Sequence, residues 1–255
     1  MKVVIVNTAA DKGGAAVAAN RLMQSLCAAG VECNMLVRES NGAQANVQVF
    51  SSNYFLLKWN QALFFLELLL LRFFKRNGKE FSLAAFGPNL ADHPLVKNAD
   101  VINLHWAQNA YLSLSELQAI QNLGKPIAWT LHDMWAITGG CHYNEDCRKF
   151  ESECNHCPLL KNDSLSNISL HQFKAKQKIY SDRIHFICPS NWLAAETSKS
   201  ALTKNNPVTV IPNTLDLSEF KPMDRAQAKN YFGIQTNKKI ILFVSMSLSD
   251  QRKGF

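Results

Sequence analysis

Lys2-Val3-Val4-Ile5-Val6-Asn7 decides the fold, together with the small and polar residues Thr8 to Gly14 and the run Ala15-Ala16-Val17-Ala18-Ala19-Asn20-Arg21-Leu22-Met23-Gln24-Ser25-Leu26-Cys27-Ala28-Ala29-Gly30. The first run is short, apolar and β-branched, which is the composition of a strand covered on both faces. In the last, Ala18, Leu22 and Leu26 recur on one helical stripe, and Gly30 is a stop signal. Glu32 to Val37 reads as a second strand. Strand, loop, helix and strand in that order make a crossover, and crossovers build parallel sheets.

The same alternation runs outward from this opening. Strands are expected at Asp100–Leu104, Ile127–Leu131, His185–Cys188 and Val208–Ile211, and helices at Ser113–Leu123, Leu170–Asp182 and Asn191–Thr203. Ser113 with Glu116 three residues on has the pattern of a capping box. The expected fold is therefore α/β, a Rossmann-like parallel sheet flanked by helices over residues 1–211, interrupted by a polar, cysteine-bearing insertion at 139–165. Pro212 and Pro222 bracket a linker assigned to 212–237. Beyond it Lys239–Ser245 is an apolar β run, and one strand cannot bury itself. Residues 238–255 are accordingly expected to open a second Rossmann-like domain that is truncated here.

An apolar fraction of 47% supports a sizeable core in a 255-residue chain. The net charge of +7 admits phosphate-bearing ligands or an anionic membrane surface. Nucleic acid is not expected as a partner, because the basic residues are scattered and no reading motif accompanies them. The apolar run at the N-terminus, Val3 to Val6, is shorter than the roughly 7–15 residues of a signal-peptide core, which favours a cytoplasmic location. In a reducing compartment the seven cysteines do not form a disulfide framework.

Tyr54 to Arg76 is the most apolar segment, interrupted by Lys58, Asn60, Gln61, Glu67 and Arg72. It reads either as a helix packed on the sheet or as an interfacial helix over 54–76, whose aromatics enter a membrane while Lys58, Arg72, Lys75 and Arg76 meet anionic headgroups.

Two expected strands end in the same way, with Asn103-Leu104-His105-Trp106 and with Thr130-Leu131-His132-Asp133-Met134-Trp135. Ligands of open α/β sheets bind outside the carboxyl ends of the strands, so His105, His132 and Asp133 are candidates for one site. Gly13 and Gly14 stand where a helix start offers free N–H groups to an anion, although neither a dinucleotide fingerprint nor a P-loop lysine accompanies them. Cys141-x5-Cys147-x6-Cys154-x2-Cys157 offers four thiols for a structural zinc ion. Reduced cysteines on a polar loop, or two disulfides in an exported chain, are the other readings, and His142 or His156 could replace a thiol. Cys27, Cys33 and Cys188 read as small core residues.

Taken together these residues resemble the family 4 glycosyltransferases of the GT-B fold, in particular enzymes of bacterial exopolysaccharide and O-antigen assembly. The resemblance rests on Gly13-Gly14, the two His-tipped strand ends, Thr138-Gly139-Gly140-Cys141-His142-Tyr143, Pro189-Ser190-Asn191-Trp192-Leu193, Ile211-Pro212-Asn213-Thr214-Leu215-Asp216 and Arg252-Lys253-Gly254-Phe255. It implies retaining transfer of a sugar from a nucleotide diphosphate sugar to a lipid-linked saccharide acceptor. By the same resemblance Gly13 and Gly14 would meet the donor diphosphate, His132 would contact the transferring sugar, and His105 and Asp133 would lie on the acceptor side. Lys253, with Arg252 beside it, would neutralise the leaving diphosphate, and no metal would be needed for catalysis, since the sequence has no D-x-D. Ser247 stands where the family commonly has an arginine. An epimerase-like nucleotide-sugar enzyme and a non-catalytic zinc-bearing module are the alternative readings.

Overall fold

A computed structural model of the chain describes residues 1–76, 80–161, 167–236, 238–245 and 254. They divide into two compact units, Met1–Thr214 and Leu215–Phe255.

The first unit is built on a seven-stranded sheet, β1 (Lys2–Ala9), β2 (Glu32–Glu39), β3 (Val47–Val49), β4 (Val101–Leu104), β5 (Ile127–Thr130), β6 (Ile184–Cys188) and β7 (Val208–Val210). Every pair is parallel and the strand order is β3-β2-β1-β4-β5-β6-β7. This is the α/β Rossmann-like fold expected from the alternation. Side chains on a strand alternate between faces, and β1 shows what that means here. Val3 and Ile5 pack in a core with Met35, Val37, Ala19 and Met23, while Val4 and Val6 belong to the other core with Leu36, Ile102 and Leu104. Both faces are covered, which is why β1 reads as a continuous apolar run. Each fully buried valine or isoleucine contributes about 1.5–3 kcal/mol.

The helices of this unit are α1 (Gly14–Ala28), α2 (Tyr54–Phe74), α3 (Pro94–Asn98), α4 (Leu114–Asn122), α5 (Ile168–Ile179) and α6 (Asn191–Lys199). Several boundaries differ from the sequence reading. Strand β3 and helix α3 were too short to announce themselves by periodicity. Helix α6 ends at Lys199 because Ser200 turns away, its hydroxyl donating to the Ile137 carbonyl at 2.7 Å. Only half of the capping box forms. The Ser113 hydroxyl oxygen accepts from the Glu116 N–H, but the Glu116 carboxylate accepts from the Ala91 N–H instead of returning to Ser113.

Helix α2 is turned inside out. Its buried residues are Asn60, Glu67 and Leu71. Asn60 donates to the Ala110 carbonyl at 2.7 Å, and Glu67 accepts from the Leu83 N–H at 3.2 Å. These two polar anchors fix which face meets the protein. The stripe Phe55, Trp59, Leu66, Leu69 and Phe73 then points away from it and is exposed.

The second unit contains one helix among its described residues, α7 (Arg225–Tyr231), capped by Asp224 accepting from the Ala226 and Gln227 N–H groups. Lys239–Ser245 is not the strand its composition suggested. The described residues of this unit include no strand.

Candidate functional site

The sheet reverses direction between β1 and β4. From β1 the chain proceeds outward to β2 and β3, then returns to place β4 on the other side. Loops leaving the two central strands diverge at such a switch point and open a crevice above their carboxyl ends. Three bonds close its floor. The His105 N–H donates to the Val6 carbonyl, the Thr8 N–H to the Trp106 carbonyl, and the Trp106 N–H to Asn7 Oδ1.

On the β1 side the crevice is flanked by the start of α1. Gly13 is its N-cap at φ +87°, without a side-chain cap and with no acidic residue in the first turn. A Cβ on Gly13 or Gly14 would meet nothing within 4 Å. Glycine is thus required at 13 for its backbone conformation rather than for packing, and the first-turn N–H groups border open space.

On the β4 and β5 side stand the two imidazoles. Leu104 and Trp129 are paired in register, so the residues that follow them emerge side by side. His105 Nδ1 lies 2.9 Å from His132 Nε2, with ring centroids 5.0 Å apart. Burial pushes His132 down to about 4, and burial with the neighbouring His132 pushes His105 well below the usual imidazole range. Both rings are therefore neutral near pH 7, and the single hydrogen between them is shared from one ring to the other. The far nitrogen, His105 Nε2, is buried without a hydrogen-bond partner, as are Asn103 Oδ1 and Gln108 Oε1. A hollow with a free volume of about 90 Å³ is bordered by Ala18 and Leu22 of α1, His105, Thr130 and the segment 211–214. Buried polar groups ordinarily find partners. Of these three residues His105 borders the hollow.

Asp133 has a different environment. Its Oδ2 accepts from Trp106 Nε1 at 2.7 Å and from His142 Nδ1 at 2.6 Å, and its Oδ1 accepts from the Trp135 N–H at 2.8 Å. Burial alone would raise its pKa, but His142 and the bonds from Trp135 and Trp106 outweigh it and hold the carboxyl below its ordinary value. A carboxylate only accepts, so His142 carries a hydrogen on Nδ1, and its Nε2 is hydrogen-bonded to the Ser82 hydroxyl, 2.8 Å away. Ser82, His142 and Asp133 follow the order of a nucleophilic triad. Yet Ser82 and His142 are each only 4% exposed, and a hydroxyl without access to a substrate is a brace. The brace ties the loop after β5 to the segment around Ser82.

The four loop cysteines line one small cavity with Gly139 and Phe150. Burial pushes the Cys141 and Cys154 thiols up to about 12, with neighbouring thiols adding to the effect. No three His, Cys, Asp or Glu among the described residues are grouped tightly enough to grip a metal ion as placed. Lys253 and Arg252 lie outside the described residues.

The structure therefore brings His105, His132 and the start of α1 to one edge of the sheet, and gives Asp133 to a buried network. Asn103, Gln108 and Thr130 were missed by sequence reasoning. Their signal was available, since they precede or follow the two His-tipped strand ends by only two or three residues.

Residues 12–219 match the family described as Glycosyltransferase Family 4. The chain is 27% identical over 151 residues to a protein of Escherichia coli (strain K12) named as a colanic acid biosynthesis glycosyl transferase, WcaC. That similarity covers 53% of this chain and 36% of the relative, so the chain spans well under half of the protein it matches.

Proposed function

The chain belongs to glycosyltransferase family 4, and from that premise we propose that the protein transfers a sugar, with retention of configuration, from a nucleotide diphosphate sugar to a lipid-linked saccharide during surface polysaccharide assembly. The observation that carries this reading is the crevice at the switch point, where the open start of α1 and the hydrogen-bonded His105 and His132 share one sheet edge beside unpaired polar atoms. A similarity to a protein named for colanic acid biosynthesis supports the polysaccharide context.

In this reading the N–H groups at Gly13 and Gly14 meet the donor diphosphate, as helix starts do with anions. His132, partly buried and neutral, contacts the transferring sugar, and His105 fixes the orientation of its ring through Nδ1. Asn103 and Gln108 offer acceptor oxygens to sugar hydroxyls. Asp133 acts from behind, by holding the loop through Trp106, Trp135 and His142. Lys253 and Arg252 would neutralise charge on the leaving diphosphate, so that cations and helix dipoles replace a catalytic metal. The exposed stripe of α2, with Lys58, Arg72, Lys75 and Arg76 around it, would rest on an anionic membrane and hold the crevice near a lipid-linked acceptor.

The test is product analysis. The full-length protein is incubated with lipid extract and a panel of nucleotide diphosphate sugars, and the new linkage is read by mass spectrometry and by NMR of the anomeric centre. A lipid-linked product with the donor's anomeric configuration is expected. Inversion, or release of free sugar without transfer across the panel, contradicts the reading. Sedimentation with anionic liposomes at rising salt tests α2, where binding at low salt that weakens with salt is expected and no binding at low salt removes the membrane from the account.

A further inference from the structure

The cysteine loop takes no part in the transfer chemistry, yet its backbone is arranged around its thiols. Cys141, Cys147, Cys154 and Cys157 line a single cavity whose free volume is about 20 Å³, room for about one small atom. The Cys141 end is pinned by an antiparallel bridge to Phe81 and by the Ser82 N–H donating to the Gly140 carbonyl at 3.0 Å. At the other end Lys149 Nζ donates to the carbonyls of Asn155 and His156, closing the turn that carries Cys154 and Cys157.

Two further observations concern charge. The Gly139 N–H is aimed at Cys154 Sγ at 3.2 Å, a donor suited to a thiolate. Lys176 Nζ is fully buried beside the same loop, donating to the carbonyls of Trp135 and Thr138 and set against the Trp135 ring. Among the described residues no carboxylate lies within ion-pair distance of it.

We propose that Cys141, Cys147, Cys154 and Cys157 hold one zinc ion as a closed tetrahedral structural site. Binding releases one proton from each thiol to solvent, and the four thiolates with the divalent cation leave a net charge of minus two, beside which Lys176 Nζ lies buried. The thiols draw together by side-chain rotation, since no three are at gripping distance as placed. Thiolates favour soft or borderline ions, and a closed four-sulfur shell suits zinc. The ion would lock residues 139–157, and with them the segment that delivers His142 to Asp133. This inference does not rest on the transferase reading.

Metal analysis of the full-length protein, purified under reducing conditions, tests it. About one zinc per chain that survives dialysis is expected, falling several-fold in Cys154→Ser and Cys157→Ser. Replacing the metal by cobalt(II) should give the intense visible bands of a tetrahedral ion and sulfur-to-metal charge-transfer absorption. Zinc far below one per chain in the wild type overturns the proposal, as do bound iron, disulfide pairing among the four cysteines, or a weakly absorbing six-coordinate cobalt spectrum. If the serine variants do not fold, the wild-type zinc content and the cobalt spectrum decide the matter.

Discussion

His132 and Asp133 are adjacent in the chain, and the fold gives them opposite surroundings. His132 stands at the sheet edge, hydrogen-bonded to His105, in a neighbourhood where Asn103, His105 and Gln108 each keep a polar atom without a partner among the described residues. Asp133 is saturated, its two oxygens accepting from three donors. Unmet hydrogen-bonding capacity at the mouth of a switch point is what a ligand can use. Capacity that is already met holds the loop in shape. Chemistry-bearing residue types occur in both places, so it is the state of their hydrogen bonds that separates site from scaffold.

The sharpest way to break this contrast is His132→Ala in the full-length protein. Sugar transfer is expected to fall by about 10²–10³-fold, while the thermal midpoint stays near that of the wild type. Equal rates would place His132 outside the mechanism. Asp133→Ala should do the reverse in kind, stranding the Trp106, Trp135 and His142 donors in the interior. A loss of about 3–5 kcal/mol in urea denaturation is expected, and a variant of wild-type stability would show that the network is not a brace.

Gly139→Ala probes how firmly the cysteine loop is seated. An added Cβ would lie 2.4 Å from the Ser169 carbonyl oxygen and 2.7 Å from Cys154 Cβ. Overpacking of this kind costs about 1–3 kcal/mol, measurable as a lowered denaturation midpoint. Gly13→Ala meets no such neighbour, so its strain is confined to the backbone at φ +87° and ψ 166°, a region essentially reserved for glycine, and is expected to cost about 1–3 kcal/mol.

The smallest effect is one of pH. His132 has a folded pKa of about 4 against an ordinary 6.5, and that of His105 is also depressed. The unfolded chain therefore binds more protons than the folded one between those values, and stability rises with pH across that window. The two rings' contribution should be complete above pH 6.5 and lost as pH falls through about 4. Replacing both histidines with asparagine should flatten that portion of the stability profile.

The sheet was legible because β1, β2, β4, β5 and β6 carry apolar runs dense enough to declare burial on both faces, and α1 carries a stripe with a glycine stop. The strand order was not legible, since nothing in Lys2–Asn7 or Asp100–Leu104 states that the two will be neighbours. Sequence alone placed His105 and His132 at strand ends but could not say that parallel register would bring their rings to 2.9 Å. Nor could it separate Asp133 from His132, because burial of the carboxylate depends on Trp106 and His142, which arrive from elsewhere in the chain. Helix α2 defeated the simple hydrophobic rule for a related reason. Its orientation is set by Asn60 and Glu67, and an apolar stripe in the sequence does not reveal which side the protein will take.

The most direct measurement is an NMR titration of selectively labelled histidine side chains in the full-length protein with a nucleotide diphosphate sugar that it accepts as donor. The imidazole resonances of His105 and His132 should shift with saturation while that of His142 stays in place. Movement of His142 with His105 and His132 unaffected would put the ligand at the brace and contradict the assignment of the switch-point crevice as the site.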